Sequence, residues 1–401
     1  MKKRNNALPS YVSYEDLDQV GEATLFYGFT PIKTVTVHHE DSAVAKNLSD
    51  GEVVVDHDTH EIGAVVKLDE KIALLNLYER EKLYTLPQPL MFFQRKNTRH
   101  KNELHYGLEI LGATKPMAEA ILIQASLAIL SDVGEKNLHV EINSIGDKES
   151  LTRFSKEITA YYKKHLADLP ASCRPLVKKD VFSLLGCQHG KCEELARNCP
   201  KSINFLSEKS RLHFKEVLEY LETLDIPYSI NNTLVANRDY CTETIFEIRR
   251  EDKDSHPVAI GIRYDTLAKR LGQKKDVSAV GISLAIPSRR VPQSKKIKKS
   301  SVEKITHPSI VFMQLGNEAK LLSLRVLETL RKHRIPVAHT MLREKMSGQI
   351  GLVEKTQAPV IMIMGKKEAM EQSVIIRDSE TRSQDSVLIT DAPAKLKKYR
   401  V

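Results

Sequence analysis

Cys187, His189, Cys192 and Cys199 fall within 13 residues, in the pattern C-x-H-x2-C-x6-C. Three thiols and an imidazole are four good zinc ligands, although the spacing is not the paired C-x2-4-C of common structural sites. Buried free cysteines would give the same residues a plain packing role, and both readings stand. A thiol nucleophile needs a base and a depressed pKa that the pattern does not supply. A second group is the polar, basic run Gln94-Arg95-Lys96-Asn97-Thr98-Arg99-His100-Lys101-Asn102, set between apolar stretches. It reads as a loop or exposed turn between two strands. A third run, from Pro287 to Pro308, carries Arg289, Arg290, Lys295, Lys296, Lys298 and Lys299 with almost no apolar periodicity. It reads as a linker, either solvated or touching phosphate.

The elements around these groups follow from periodicity. Leu17, Val20 and Ala23 to Leu25 recur near helical spacing and end at Gly28. Pro31 to Val37 reads as a strand, and Glu52 to Asp56 with Ile62 to Leu68 as a hairpin. Leu90 to Phe93 and Leu104 to Leu111 flank the basic loop as strands, with Glu109 inside the second. Helices are expected over Met117–Leu130, Glu149–Lys164 and Leu206–Leu224, and strands at Leu138–Ile142, Tyr228–Ile230, Thr242–Ile248, Pro257–Ile262 and Ala279–Ile286. Short, partly antiparallel strands flanked by long helices make a mixed α+β domain. Beyond Pro308 the pattern is α/β: strands Ile310–Leu315, Ile335–His339 and the wholly apolar Val360–Met364 alternate with two helices, and a hairpin closes the chain.

Composition sets the bounds. A chain of 401 residues should hold two or three domains. With 41% hydrophobic and 28% charged residues it is neither disordered, collagen-like nor a coiled coil. No apolar run is long enough to span a membrane, and the basic start MKKRNNALPS has no apolar region behind it to make a secretory signal. Five cysteines are too few for a disulfide scaffold, so the expected compartment is the cytoplasm. The 61 basic and 52 acidic residues give +9, which permits a nucleic-acid partner without requiring one. The absence of Trp and 6% aromatics argue against a single-strand binder built on stacking.

Read in order, several motifs resemble the histidyl-tRNA synthetase family of class II aminoacyl-tRNA synthetases. Tyr27-Gly28-Phe29-Thr30-Pro31-Ile32 is similar to its first, dimer-interface motif. His105-Tyr106-Gly107-Leu108-Glu109-Ile110-Leu111-Gly112 resembles the second strand of motif 2. Asn143-Ser144-Ile145-Gly146-Asp147 resembles a family turn, the stretch from Leu234 to Glu247 its histidine-specific signature, and Gly261-Ile262-Arg263-Tyr264-Asp265 a further signature stretch. Asn317-Glu318-Ala319 and the helices after it resemble the anticodon-binding domain. The resemblance implies an antiparallel class II sheet domain over residues 1–286, with a helical, cysteine-containing insertion near 150–225. A basic linker over 287–308 and an α/β anticodon-binding-like domain over 309–401 would follow. It implies a homodimer, and tRNA or another structured RNA as partner, with Arg343, Lys345 and Gln349 at a helix start and Arg99 in the basic loop as RNA contacts.

The departures bear on activity. Adenylate formation builds negative charge on the α-phosphate, which family arginines and magnesium stabilise. The motif 2 arginine slot falls among apolar residues near Met91 to Phe93, and the motif 3 slot holds Ser288, preceded by Pro287. In the signature, Ala236 and Asn237 replace an arginine and a glycine, and Glu243 replaces a second glycine. Leu68-Asp69-Glu70 is the nearest match to a substrate-gripping arginine-proline-glutamate motif. Arg95, Arg238 and Arg289 are the candidate replacement cations, each displaced from its slot. Glu109, Asp239, Tyr240 and Thr242 remain, as a residual pocket or as internal hydrogen-bond partners. Two or three lost charge-assisted contacts, at roughly 1.5–3 kcal/mol each, lead to the expectation of a non-enzymatic RNA-binding or regulatory protein that needs no cofactor. The alternatives are an active, divergent histidine-tRNA ligase using ATP and magnesium, and a regulatory subunit like the synthetase-related partner of ATP phosphoribosyltransferase.

Overall fold

The computed structural model describes residues 9–48, 64, 66–96, 102–235, 240–251, 256–292, 296–343 and 346–397. Eight of its strands are β1 (Thr30–Pro31), β2 (Leu90–Lys96), β3 (Glu103–Leu111), β4 (Leu138–Gly146), β5 (Tyr228–Ile230), β6 (Thr242–Arg250), β7 (Ala259–Arg263) and β8 (Ala279–Pro287). They form one sheet in the order β1-β2-β3-β8-β7-β6-β4-β5. From β2 to β4 every pairing is antiparallel, and only the edge strands β1 and β5 pair parallel. The strands β9 (Ile310–Gln314), β10 (Ala338–His339), β11 (Val360–Met364), β12 (Ser373–Asp378) and β13 (Gln384–Leu388) make a second sheet, in the order β10-β9-β11-β12-β13. The first three of these in space are parallel and the rest antiparallel. This is the expected pair of architectures: an antiparallel class II-like sheet domain, then an α/β module.

The large sheet is covered on both faces, and strand alternation sorts its residues. Leu104, Tyr106, Leu108 and Ile110 of β3 enter the main core with Val280, Ile282 and Leu284 of β8 and the helices Gln19–Phe26, Met117–Asp132 and Glu208–Thr223. Leu111 of β3, Phe92 of β2 and Ile262 of β7 face the other way, into a second core under the helix Leu68–Arg80. Glu109 and Gly107 share that second face, because they alternate with the core residues of β3.

Several expectations change. Leu68 opens a helix rather than closing a strand; the other arm of that hairpin, 52–56, lies outside the described residues. Asp69 and Glu70 occupy its first turn, where the helix dipole favours negative charge. Gln94, Arg95 and Lys96 belong to β2 and not to the loop. The segment 287–308 is not simply a solvated linker: it contains the helix Lys299–Thr306, and Val291, Val302 and Ile305 are buried in the main core.

Candidate active site

A cluster of buried titratable side chains lies on the second face of the large sheet. Glu109 is 1% exposed and Lys71, one turn into the helix Leu68–Arg80, is also 1% exposed. The Lys71 ammonium donates to Glu109 Oε1. The Tyr264 hydroxyl donates to Glu109 Oε2 at 2.7 Å, and Lys71 Nζ stands 5.0 Å from the centre of the Tyr264 ring. Gly281 of β8 makes this possible: a Cβ there would lie 1.8 Å from Glu109 Oε2 and 2.6 Å from Lys71 Nζ. Burial pushes the Lys71 pKa down, and the Glu109 charge opposes the shift. Burial, with the Glu109 carboxylate beside it, holds the Tyr264 hydroxyl firmly protonated.

A second ammonium lies alongside. Lys96 of β2 pairs with Glu70 at 2.7 Å and donates to Ser283 Oγ at 2.9 Å. Burial would raise the Glu70 carboxyl, but Lys96 and Lys67 outweigh it and the pKa falls. Gly107 leaves space for this lysine, since a Cβ there would meet Lys96 Cε at 2.6 Å. Further along the same face His105 Nε2 lies 3.0 Å from Glu103 Oε2. The face therefore holds two ammonium groups, three carboxylates, a phenol and an imidazole, drawn from the helix Leu68–Arg80, β2, β3 and the turn that follows β7.

Beside this floor an open cleft of about 1120 Å³ runs between the helix Lys148–Lys164 and the residues Cys241, Thr242 and Thr266. Among the described residues it is lined by five cations, Lys148, Lys156, Lys163, Lys269 and Arg270, and one carboxylate, Asp147. Such a field suits a polyanion. Asp147 caps its helix, accepting from the Ser150 amide at 2.9 Å and from the Ser207 hydroxyl at 2.8 Å.

The sequence-predicted residues scatter. Glu109 is central, and Tyr240 is buried in the second core nearby. Thr242 lines the cleft, and its hydroxyl accepts from the Asp265 amide at 3.4 Å. Arg95 is exposed and pairs in register with Tyr106, which puts it on the face opposite Glu109. Arg289 is exposed just past the end of β8. Neither reaches the floor. Arg99, Arg238, Asp239 and Lys345 lie outside the described residues. Gln349 is buried, and its amide is spent on Gln314: Oε1 accepts from that residue's amide and Nε2 donates to its carbonyl, both at 2.8 Å. One N–H and one lone pair of the buried amide are thereby committed to the fold rather than to a base edge. Arg343 is half-buried and lines a cavity facing Gln88 and Lys115 of the first domain. Cys199 leaves the expected metal quartet, its thiol lying 3.1 Å from the Ala196 carbonyl, and Cys173 takes its place beside Cys187, His189 and Cys192.

Glu243 does not threaten the floor either. Its carboxyl turns to the helix Glu208–Thr223, where Ser210 donates to it at 3.1 Å, and burial pushes its pKa up. Its φ of +52° is the left-handed conformation that the glycine expected there adopts freely. Arg263 is structural: it grips Glu119 at 2.7 and 2.6 Å on the main-core side. Burial works to raise the Glu119 carboxyl, yet Arg263 and His213 hold it near about 2.

Lys71, Lys96 and Tyr264 are the functional candidates that sequence reasoning did not single out. The glycines opposite them were a usable signal, since Gly107 and Gly281 lie within strands where glycine otherwise weakens packing.

A family model described as Histidyl-tRNA synthetase matches residues 65–288, more than half of the chain. The chain belongs to the histidyl-tRNA synthetase family. A second model, Anticodon binding domain, matches residues 309–399, a kind of module that points to RNA interaction. Among similar proteins, the Histidine--tRNA ligase of Fervidobacterium nodosum is 30% identical over 299 residues, covering 74% of this chain and 70% of its own. That of Desulforamulus reducens is 24% identical over 405 residues and covers 96% of both chains. The apo histidyl-tRNA synthetase of S. aureus superposes with a TM-score of 0.51 at 19% identity, covering 98% of this chain and 99% of that one, and so shares the fold. These relatives overturn the expectation of a non-enzyme. They are named as ligases, they align over most of both chains, and nothing in the likeness supports lost catalysis. No helix among the described residues is long and apolar enough to cross a membrane.

Proposed function

We propose that the chain is a histidine-tRNA ligase whose active-site cations are lysines in place of the displaced arginines. In the reaction a histidine carboxylate oxygen attacks the α-phosphorus of ATP and pyrophosphate leaves. A terminal tRNA hydroxyl then takes the aminoacyl group and AMP leaves. One observation carries the reading. Lys71 and Lys96 bring two buried ammonium groups onto the sheet face that holds Glu109 and Tyr264. Their charge in a water-poor site is worth far more to a developing phosphate anion than it would be in solvent. The Glu109 carboxylate with the Tyr264 phenol suits a small N–H-rich cation, such as the ammonium or protonated imidazole of histidine.

Lys71 occupies Glu109 in this structure, so histidine has to exchange with it. A high KM for histidine follows. Glu70, Glu103 and Glu109 each hold a cation or an imidazole, which is a poor fit to a protein-built magnesium cage. The ion belongs to the nucleotide's phosphates, as it does where only one or two protein oxygens contribute. The basic cleft supplies a path for an RNA end, the C-terminal module a second RNA contact that includes Arg343, and the edge strand β1 the homodimer contact. The anticodon-binding match favours this reading over a regulatory subunit without RNA.

The test is histidine-dependent exchange of labelled pyrophosphate into ATP. The wild-type chain should exchange with histidine and not with other amino acids. Lys96→Met should lower kcat/KM by roughly 10²–10³, the scale of one lost electrostatic contact, and Lys96→Arg should restore part of it. A correctly folded wild-type protein with no histidine-dependent exchange would sink the proposal.

A further inference from the structure

We infer that Cys173, Cys187, His189 and Cys192 form a zinc site that holds the insertion together. Cys173 lies in the turn before the short helix Leu176–Lys179; Cys187 and His189 lie in a loop; Cys192 is in the first turn of the helix Gly190–Asn198. Two pieces of chain therefore converge, the segment 187–192 and Cys173 fourteen residues before it, and their ligand atoms all fall within 4.8 Å of one another. Cys173 Sγ is 3.7 Å from Cys187 Sγ and 3.6 Å from His189 Nδ1, and Cys187 Sγ is 3.2 Å from the same nitrogen. A tetrahedron with Zn–S of about 2.3 Å and Zn–N of about 2.0–2.1 Å has edges of roughly 3.8 Å between sulfurs and roughly 3.5 Å between sulfur and nitrogen. These three edges agree to within a few tenths of an ångström, and the Cys192 thiol lies within 4.8 Å of each of the other ligand atoms. They do not suit a disulfide, which needs sulfurs about 2.05 Å apart, and all the cysteines are free.

The surroundings fit the same reading. Phe154, Val181, Phe182 and Leu184 wrap the sulfurs in an apolar shell, where thiols gain little by pointing at one another and at an imidazole. A metal gives that convergence a cause. Three thiolates and a neutral imidazole around Zn²⁺ leave one net negative charge, and binding releases three protons. Cys192 sits where the amides at a helix start favour such a charge. Four protein ligands close the coordination sphere, so the site is structural and offers no position to a substrate. What it fastens is the backing of the helix Lys148–Lys164, which packs Phe154 and Ile158 on this cluster and turns Lys148, Lys156 and Lys163 toward the basic cleft. The inference is independent of the ligase reading.

The full-length protein, purified under reducing conditions without added metal, should carry one zinc per chain by elemental mass spectrometry. Cys173→Ser should reduce the content at least tenfold, whereas Cys199→Ser should leave it intact. Replacing zinc by cobalt in the wild-type protein should give the intense thiolate charge-transfer band and the visible bands of a tetrahedral ion. That spectrum serves if the cysteine variants fail to fold. A wild-type protein that is metal-free and takes up no cobalt, a Cys173–Cys187 disulfide in the reduced preparation, or loss of metal from Cys199→Ser but not from Cys173→Ser would each overturn the assignment.

Discussion

Lys71 and Glu109 are each 1% exposed, so removing either partner strands a charge in a place water does not reach. Glu109→Gln is expected to destabilise the protein by about 3–5 kcal/mol, read as a shift in urea unfolding. Replacing both, as Lys71→Met with Glu109→Leu, should recover much of that loss, because the cost comes from the unpaired charge. Additive losses in the double variant would show that the two residues are not one unit. Gly281→Ala tests the same spot by volume. Its Cβ would meet a carboxylate oxygen fixed by Tyr264 and Lys71, so a loss of about 1–3 kcal/mol is expected. Gly107→Ala should cost less, since its Cβ meets the end of one lysine chain. Glu109 was legible in the sequence as a lone carboxylate within an apolar strand. Lys71 was not, because its pairing depends on a helix and strand brought together only by the fold.

At the scale of elements, the clear periodicities were read well. Val360–Met364 is a strand with the bounds its apolar run implies, and the helices Lys148–Lys164 and Glu208–Thr223 lie within two residues of their expected limits. The helix Leu68–Arg80 was missed although Leu68, Ile72 and Leu75 recur at helical spacing, because the neighbouring β-branched run drew Leu68 into a strand. The packed part of 287–308 was also missed. Three widely spaced apolar residues, Val291, Val302 and Ile305, are too few to raise a periodic signal among so many lysines. In the insertion, the Asp147 carboxylate ties the start of the helix Lys148–Lys164 to Ser207. Asp147→Ala should cost about 0.5–2 kcal/mol in urea unfolding, the usual loss of a helix cap. Burial raises the Asp147 carboxyl, but the Ser150 and Ser207 hydrogen bonds outweigh it, so the pKa lies below its ordinary value of 3.8. This stabilisation is present above that value and is lost as acid titrates the carboxylate.

Across the whole molecule, the two domains are locked by ion pairs and a hydrogen bond between them. Arg331 reaches Asp132 at 2.6 Å, Arg325 reaches Asp225 at 2.6 Å, Arg334 pairs with Glu22, and the Tyr27 hydroxyl donates to Glu328 at 2.5 Å. His339 sits at the same seam, its ring 3.3 Å from where a Cβ on Gly28 would stand. Burial lowers its pKa from 6.5 to about 4, against a weaker pull from a backbone hydrogen bond at Tyr27. The unfolded chain binds a proton that the folded one refuses, so this contribution is complete above pH 6.5 and is lost as pH falls toward 4. Urea midpoints measured from neutral pH downward should fall across that window, and His339→Gln should flatten the decline. An unchanged slope would remove the histidine from the account.

Leu324, Leu327 and Met341 of the C-terminal module are buried in the same apolar cluster as Phe26 and Leu130 of the first domain. Neither half can be sliced away without laying bare an oily scar, and a fragment ending near residue 308 would be prone to clump. Experiments meant to tell RNA capture from chemistry therefore belong on single side chains in the intact polypeptide, because a deletion would report its own insolubility.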